Sequence, residues 1–327
     1  MPAGVVTRAL TAALVITAAA TPQAQVRSEQ SLPATFNQGV ARVPGGWILS
    51  GTNSPVPSTD ILARTDDDLH VQATLPSAIP PQWKAQGFDH IGDIDVVGNT
   101  IYAPFEQPDY SKGQQATARY DATTLLFIDA VQLPQHENSF VAIDPKSMTA
   151  YSMDHFDGDA LLRYDVRAGW KPLPPLKISM LLHHTQGAAV AAGAVWISTS
   201  DDHNDIFRVD LATGHVDTVG TLGHPGGEGE GIDAAALPSG ALHGLVIDPN
   251  LTTVWLVHFA LTAPAPATTT STTAAGATRR SSRHLAATGG PATLVWTGVA
   301  ALVAAAGVAS VSRRSRRRSR PTGTART

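Results

Sequence analysis

Short apolar runs, separated by turns rich in Gly, Asn, Asp and Pro, recur through the middle of this 327-residue chain. They open at Gly39 (GVARVPGGWILSGT), Gly92 (GDIDVVGNTIYAPFE), Ser139 (SFVAIDPKSMTAYSMD), Gly187 (GAAVAAGAVWISTSDD) and Gly231 (GIDAAALPSGALHGLV), at intervals of 53, 47, 48 and 44 residues. A second landmark keeps step: Arg64-Thr65-Asp66 returns as Arg119-Tyr120-Asp121, Arg163-Tyr164-Asp165 and Arg208-Val209-Asp210, spaced by 55, 44 and 45. Two independent marks on one period define a repeat, and periods of this size belong to propellers and solenoids. No stretch of the body sustains a 3.6-residue apolar period, which argues against a helical solenoid.

Each unit reads as four short strands. A first strand holds Val96 or Val190, a turn follows, and a second runs over Thr100–Pro104 or Ala194–Thr199. The third ends in Arg-x-Asp, and a turn such as Asp121-Ala122-Thr123-Thr124 leads to the fourth. Four antiparallel strands in about 45 residues make a propeller blade. The Asp of that turn suits a structural role, accepting backbone N–H bonds. The pattern therefore predicts an all-β domain over residues 25–260 with five four-stranded blades, or six if Ser31–Phe36 and the gap Leu75–His90 hide another. Ring closure abolishes sheet edges, so a strand near Leu32–Phe36 is expected to pair with Val246 and Thr253–Phe259.

In a propeller the first strand of each blade starts, and the second ends, on one rim of the central channel. The first-strand starts gather Gln38, His90 with Asp93, Glu137 with Asn138, His184 with Gln186, and Glu228 with Glu230. The second-strand ends gather Asn53, Glu106, Asp154 with His155 and Asp157, and Asp201 with Asp202 and His203. Crowded carboxylates raise one another's pKa unless a cation neutralises them. Oxygen-rich, sulfur-free donors suit Ca²⁺, and the nearby His keep Zn²⁺ or Mn²⁺ open. Gly226-Gly227-Glu228-Gly229-Glu230-Gly231 lets the backbone approach a ligand closely, but no Lys and no helix follow it, so it is not a phosphate loop. The chain contains no Gly-x-Ser-x-Gly, His-Glu-x-x-His or EF-hand pattern.

The Tyr-Asp-x-x-Thr turn at Tyr120–Thr124 resembles that of secreted β-propellers of the gluconolactonase, NHL and strictosidine-synthase type, over residues 36 to 259. The polar mouth resembles that of the calcium-centred lactonases and arylesterases. That resemblance implies Glu137, Asn138, Asp201 and Glu230 as ion ligands and His90, His155 or His184 as the acid/base. Gln38, Asp93, Glu106, Asp154, Gln186 and Glu228 are then candidate ligand-binding groups. Two functions are compatible with such a mouth: a binding module for a surface ligand without turnover, or a metal-dependent hydrolase of a lactone, ester or glycan.

The chain ends carry different signals. Arg8 precedes the apolar run Ala9–Ala20, which is too short to span a bilayer and suits a signal peptide within residues 1–24, with signal-peptidase cleavage after Ala20 or Ala24. Residues 291–311 carry no charge and would be about 32 Å long as a helix at about 1.5 Å per residue, enough for one transmembrane span. The Arg-rich tail 312–327 is then cytoplasmic before processing and the body extracellular. Leu285-Ala286-Ala287-Thr288-Gly289, directly before the span, resembles the sorting signal read by class E sortases of actinobacteria. That likeness implies cleavage after Thr288 and transfer to peptidoglycan. Residues 261–284 hold seven Thr, three Ser and two Pro and read as a disordered stalk.

Composition sharpens this division. The formal charge is −4, but ten Arg lie beyond residue 278 and one is Arg8, so the interval 25–278 carries 12 basic and all 27 acidic residues, a balance of −15. So acidic a body argues against nucleic-acid binding, which needs Lys and Arg against phosphates. The absence of cysteine excludes disulfides, thiolate metal sites and a Cys nucleophile.

Overall fold

The computed structural model describes residues 21–52, 60–107, 114–250 and 252–262. The sorting motif, the apolar span and the Arg-rich tail lie outside the described residues, as do the signal-peptide run to Ala20, the stalk beyond Thr262 and Asn53. Among the described residues, no helix is long and apolar enough to cross a membrane.

The period seen in the sequence is a five-bladed β-propeller. After β1 (Gln23–Pro33), the first blade comprises β2 (Val40–Val43), β3 (Gly46–Gly51), β4 (Ile61–Thr65) and β5 (Val71–Pro76). The second has an interrupted inner strand, β6 (His90–Ile91) and β7 (Asp95–Val97), then β8 (Thr100–Glu106), β9 (Gln115–Asp121) and β10 (Phe127–Leu133). The third is β11 (Ala142–Asp144), β12 (Thr149–Ser152), β13 (Asp157–Asp165) and β14 (Lys171–His183). The fourth is β15 (Thr185–Ala191), β16 (Ala194–Thr199), β17 (Asp205–Asp210) and β18 (Val216–Thr221). The fifth is β19 (Glu228–Asp233), β20 (Ala241–Ile247) and β21 (Thr253–Thr262), and β1 completes it as the outermost strand.

The gap Leu75–His90 hides no sixth blade. It holds the short helix α1 (Pro81–Lys84), whose Lys84 Nζ reaches the fully buried Asp60 at 2.6 Å. The closing strand also differs from the expected one. It runs from Gln23↔Thr262 to Pro33↔Thr253, so it begins well before Leu32 and ends before Phe36, which packs in the core. It also reaches two residues beyond each bound expected for the domain.

Every Arg-x-Asp segment lies in or at the end of a third strand, and its Asp closes the next turn. Asp121 Oδ1 accepts Thr123 N and Thr124 N at 3.0 and 2.8 Å, and Asp210 Oδ1 accepts Ala212 N and Thr213 N at 3.1 and 3.0 Å. Apolar residues of the inner strands fill the spaces between blades; for example Phe140, Tyr151 and Leu161 of the third pack with Val195, Ile197 and Phe207 of the fourth.

The five repeat-opening residues meet at the channel waist, where a continuous set of hydrogen bonds joins each blade to the next. Ser50 Oγ donates to Gly92 O at 2.8 Å, Asp93 N to Ser139 O at 2.8 Å, and Ser139 Oγ to Thr185 O at 2.6 Å. Ser198 Oγ donates to Glu230 O, and Gly231 N to Gln38 O at 2.8 Å, which closes the ring. Glycine at the waist is required by space. A Cβ on Gly187 would sit 2.7 Å from Asp93 Oδ2, and one on Gly231 2.6 Å from Asp93 Oδ1, distances that side-chain carbons do not adopt.

Candidate functional site

The waist separates two mouths of different chemistry. At the mouth where the inner strands begin, Gln38, Glu106 and Glu230 are buried, at 8%, 4% and 2% exposure, and His90 and Glu228 are partly buried. His90 Nε2 lies 2.8 Å from Gln38 Oε1, linking the first two blades. Burial pulls the His90 pKa down to about 4, against the opposing pull of Asp89 and Glu228, so the imidazole is neutral at physiological pH. Burial pushes Glu230 well above the usual carboxylate range, and Glu228, Asp93 and Glu106 add to the shift. The Glu230 carboxylate accepts no hydrogen bond among the described residues. Once it carries its proton, such a carboxyl can donate a hydrogen bond or a proton, which the ionised carboxylates around it cannot.

The structure distributes the remaining candidates. Asp93 is used by the frame: Oδ1 accepts Val40 N at 3.1 Å and Ile94 N at 3.0 Å, and Oδ2 accepts Ala188 N at 2.9 Å and Ile232 N at 3.2 Å. Asn138 is fully engaged, donating from Nδ2 to Ala116 O at 2.7 Å and accepting Gln135 Nε2 and Ser152 Oγ at 2.8 and 3.1 Å. It therefore supports the third blade rather than presenting a free ligand atom. Glu137 Oε2 accepts Phe156 N at 2.9 Å, and Glu137 raises the pKa of partly buried Asp154 after burial has done so. His155 Nδ1 lies 2.9 Å from Thr185 O, with its ring 5.5 Å from that of exposed His184. Gln186 Nε2 donates to Ser200 Oγ at 3.3 Å. Glu137, Asp201 and Glu230 do not form one ligand set. Among the described residues, the one group of three such side chains with ligand atoms mutually within 4.8 Å is Asp201, His203 and Asp205.

Residues beyond the sequence-derived set carry the frame. Gln135 is buried and central to the third blade: its Oε1 accepts Tyr164 OH at 2.7 Å and its Nε2 donates to Glu137 O at 2.6 Å. At the opposite mouth, Asp95 Oδ2 accepts Ile143 N at 2.7 Å and Asp233 Oδ1 accepts Arg42 N at 2.9 Å, each clasping the neighbouring blade. Burial raises Asp95 to about 7 and Asp233 to about 6. They flank a small recess also lined by Arg42, Ile143 and Val190. The sequence held one weak signal for them, an Asp three residues after the repeat-opening Gly92 and two after Gly231, in Gly92-Asp93-Ile94-Asp95 and Gly231-Ile232-Asp233.

No protein-family model matches the chain, and no curated protein matches it. Among solved structures it is similar to the propeller of Dos1, at 12% identity over 68% of this chain and 67% of that one, with a TM-score of 0.38. It is also similar to a bifunctional GH43-CE protein of Bacteroides eggerthii, at 9% identity and a TM-score of 0.46. That match covers 72% of this chain and only 34% of the other. The five-bladed architecture itself stands on the strand pairing described above.

Proposed function

We propose that this protein is a surface-displayed propeller that binds a small polar ligand at the mouth formed by Gln38, His90, Glu106, Glu228 and Glu230. The observation that carries the reading is the Glu230 carboxyl: buried, without a hydrogen bond in the described residues, and raised in pKa by burial and by its acidic neighbours. With no protein donor spent on them among the described residues, its oxygens are open to a ligand that enters the mouth.

The display half of the reading rests on the sequence. A leader removed by signal peptidase exports the chain, the stalk lifts the propeller, and a class E sortase joins Thr288 to peptidoglycan. The start of β1 favours cleavage after Ala20. Thr21 Oγ1 bonds Asp217 Oδ1 at 2.9 Å, and Ala24 packs in the core between the fourth and fifth blades, so cleavage after Ala24 would remove residues that the fold uses.

A second reading, hydrolysis of a lactone, ester or glycan, is favoured by the raised pKa of Glu230, since a carboxyl held toward its acid form is what a general acid needs. Both readings are tested by one panel of sugars, lactones and esters, offered to the wild type and to Glu230→Gln with turnover and thermal midpoint followed together. Binding raises the midpoint of the wild type without product formation; hydrolysis gives product that the variant does not form. A panel that shifts wild type and variant equally contradicts both.

A further inference from the structure

The loop joining β16 to β17 carries a cluster that the Glu230 mouth does not use. The Asp201 and Asp205 carboxylates and the His203 imidazole bring ligand atoms within 4.8 Å of one another. Asp201 Oδ1 accepts His203 N at 3.0 Å and Asp205 N at 3.2 Å, which folds the loop about that oxygen. The other Asp201 oxygen, the Asp205 carboxylate and the His203 ring form no hydrogen bond among the described residues. Between the ligand-bearing residues, Asn204 is fully buried and fixed: its Nδ2 donates to Gly223 O and His224 O at 3.2 and 3.3 Å, and its Oδ1 accepts Gly229 N at 3.0 Å. The donors are therefore held on a pinned turn.

A second segment of the chain contributes to the same place. His183 at the end of β14 and His184 before β15 line one recess of about 340 Å³ together with Ser200, Asp201, Asp202 and His203. His183 and His184 thus share a recess with Asp201, Asp202 and His203 from two separate segments, while Asp205 completes the ligand group from beside it.

We propose that Asp201, His203 and Asp205 form a site for a divalent first-row transition ion of the zinc type, with the His183–His184 side of the recess as its fourth wall. Mixed imidazole and carboxylate donors suit Zn²⁺, whereas Ca²⁺ takes six to eight oxygens, more than this loop provides. Three protein donors leave a position open for water or another ligand.

The test is calorimetric titration of the chelator-treated, full-length protein with Zn²⁺ and, separately, Ca²⁺, repeated on His203→Gln and on Asp205→Asn. His203 is exposed, so its replacement leaves the fold intact, which an unchanged melting midpoint in metal-free buffer verifies. The proposal predicts one saturable Zn²⁺ site, Ca²⁺ binding at least about tenfold weaker, and a loss in each variant exceeding the roughly 10–100-fold typical of outer-shell changes. Absence of saturable Zn²⁺ binding, tighter Ca²⁺ than Zn²⁺ binding, or undiminished binding by His203→Gln overturns it. Loss of Zn²⁺ binding on His258→Gln instead would place the ion between His243 and His258, whose Nδ1 atoms lie 2.8 Å apart, and overturn it equally.

Discussion

The Asp93 carboxylate of the second blade accepts the Ile232 amide of the fifth at 3.2 Å, across the waist of the channel. The same side chain accepts Val40 N of the first blade and Ala188 N of the fourth, so one residue ties four blades together. Its reach depends on the break in the inner strand between Ile91 and Asp95, where the chain leaves its ladder and bridges to Phe140 of the third blade.

Replacing Asp93 by Ala leaves buried amides of three other blades without an acceptor. Each unsatisfied buried donor costs about 1–3 kcal/mol, so the variant should lose at least about 3 kcal/mol in a denaturant titration. Gly231→Ala should be destabilised as well, because its Cβ would meet Asp93 Oδ1 at 2.6 Å and Gly39 Cα at 2.8 Å. Near-wild-type midpoints for both would contradict the clasp.

Asp95 and Asp233 should each contribute a loss of stability as the pH rises from about 4 to 7. Burial raises Asp95 to about 7 and Asp233 to about 6, from 3.8, so across this window the folded protein keeps protons that the unfolded chain has released. Their favourable contribution is complete below the unfolded value and is lost as the pH passes the folded ones. His90 and His243 oppose them: burial lowers each to about 4, helped at His243 by His258 and Arg42, so their contribution grows as the pH climbs toward 6.5. Asp95→Asn should therefore remove part of the loss, on the order of 1–2 kcal/mol, seen as a smaller difference between guanidinium midpoints at pH 5 and pH 8. An unchanged difference would show that Asp95 does not titrate in this range.

The proposed leader and anchor can each be checked on material from the native host. Terminal sequencing of the exported protein should begin at Thr21, and a start at Gln25 would contradict the role given to Thr21 and Ala24 in closing the ring. Thr288→Ala should move the protein from the wall fraction to the membrane and medium. Complete extraction of the wild type by detergent would contradict sortase attachment.

Blade number, strand order and the function of the Arg-x-Asp turns were readable in the chain because each rests on local periodicity repeated in every unit. Closure by the N-terminal strand was readable in principle, since a ring must tie its ends. Its register was not, because Gln23–Gln30 is polar and lies as an exposed outer strand paired with β21, without the alternation that a half-buried strand shows. The rim rule brought out Gln38, His90, Glu106, Glu228 and Glu230. It could not separate Glu230, whose carboxyl is open, from Asp93 and Asn138, whose polar atoms are consumed by the frame, because that difference lies in amides and side chains contributed by other blades. Asp205 escaped notice for a related reason: it sits in strand β17, and only the folding of the loop about Asp201 carries it to His203.

The most direct test of the binding mouth is to map a ligand from the panel by backbone amide chemical shifts on the folded protein. The account predicts perturbations centred on Gln38, His90, Glu106 and Glu228–Gly231, and their loss in Glu230→Gln. Perturbations confined to the opposite mouth around Arg42, Asp95 and Asp233, or to the outer strands, would contradict it.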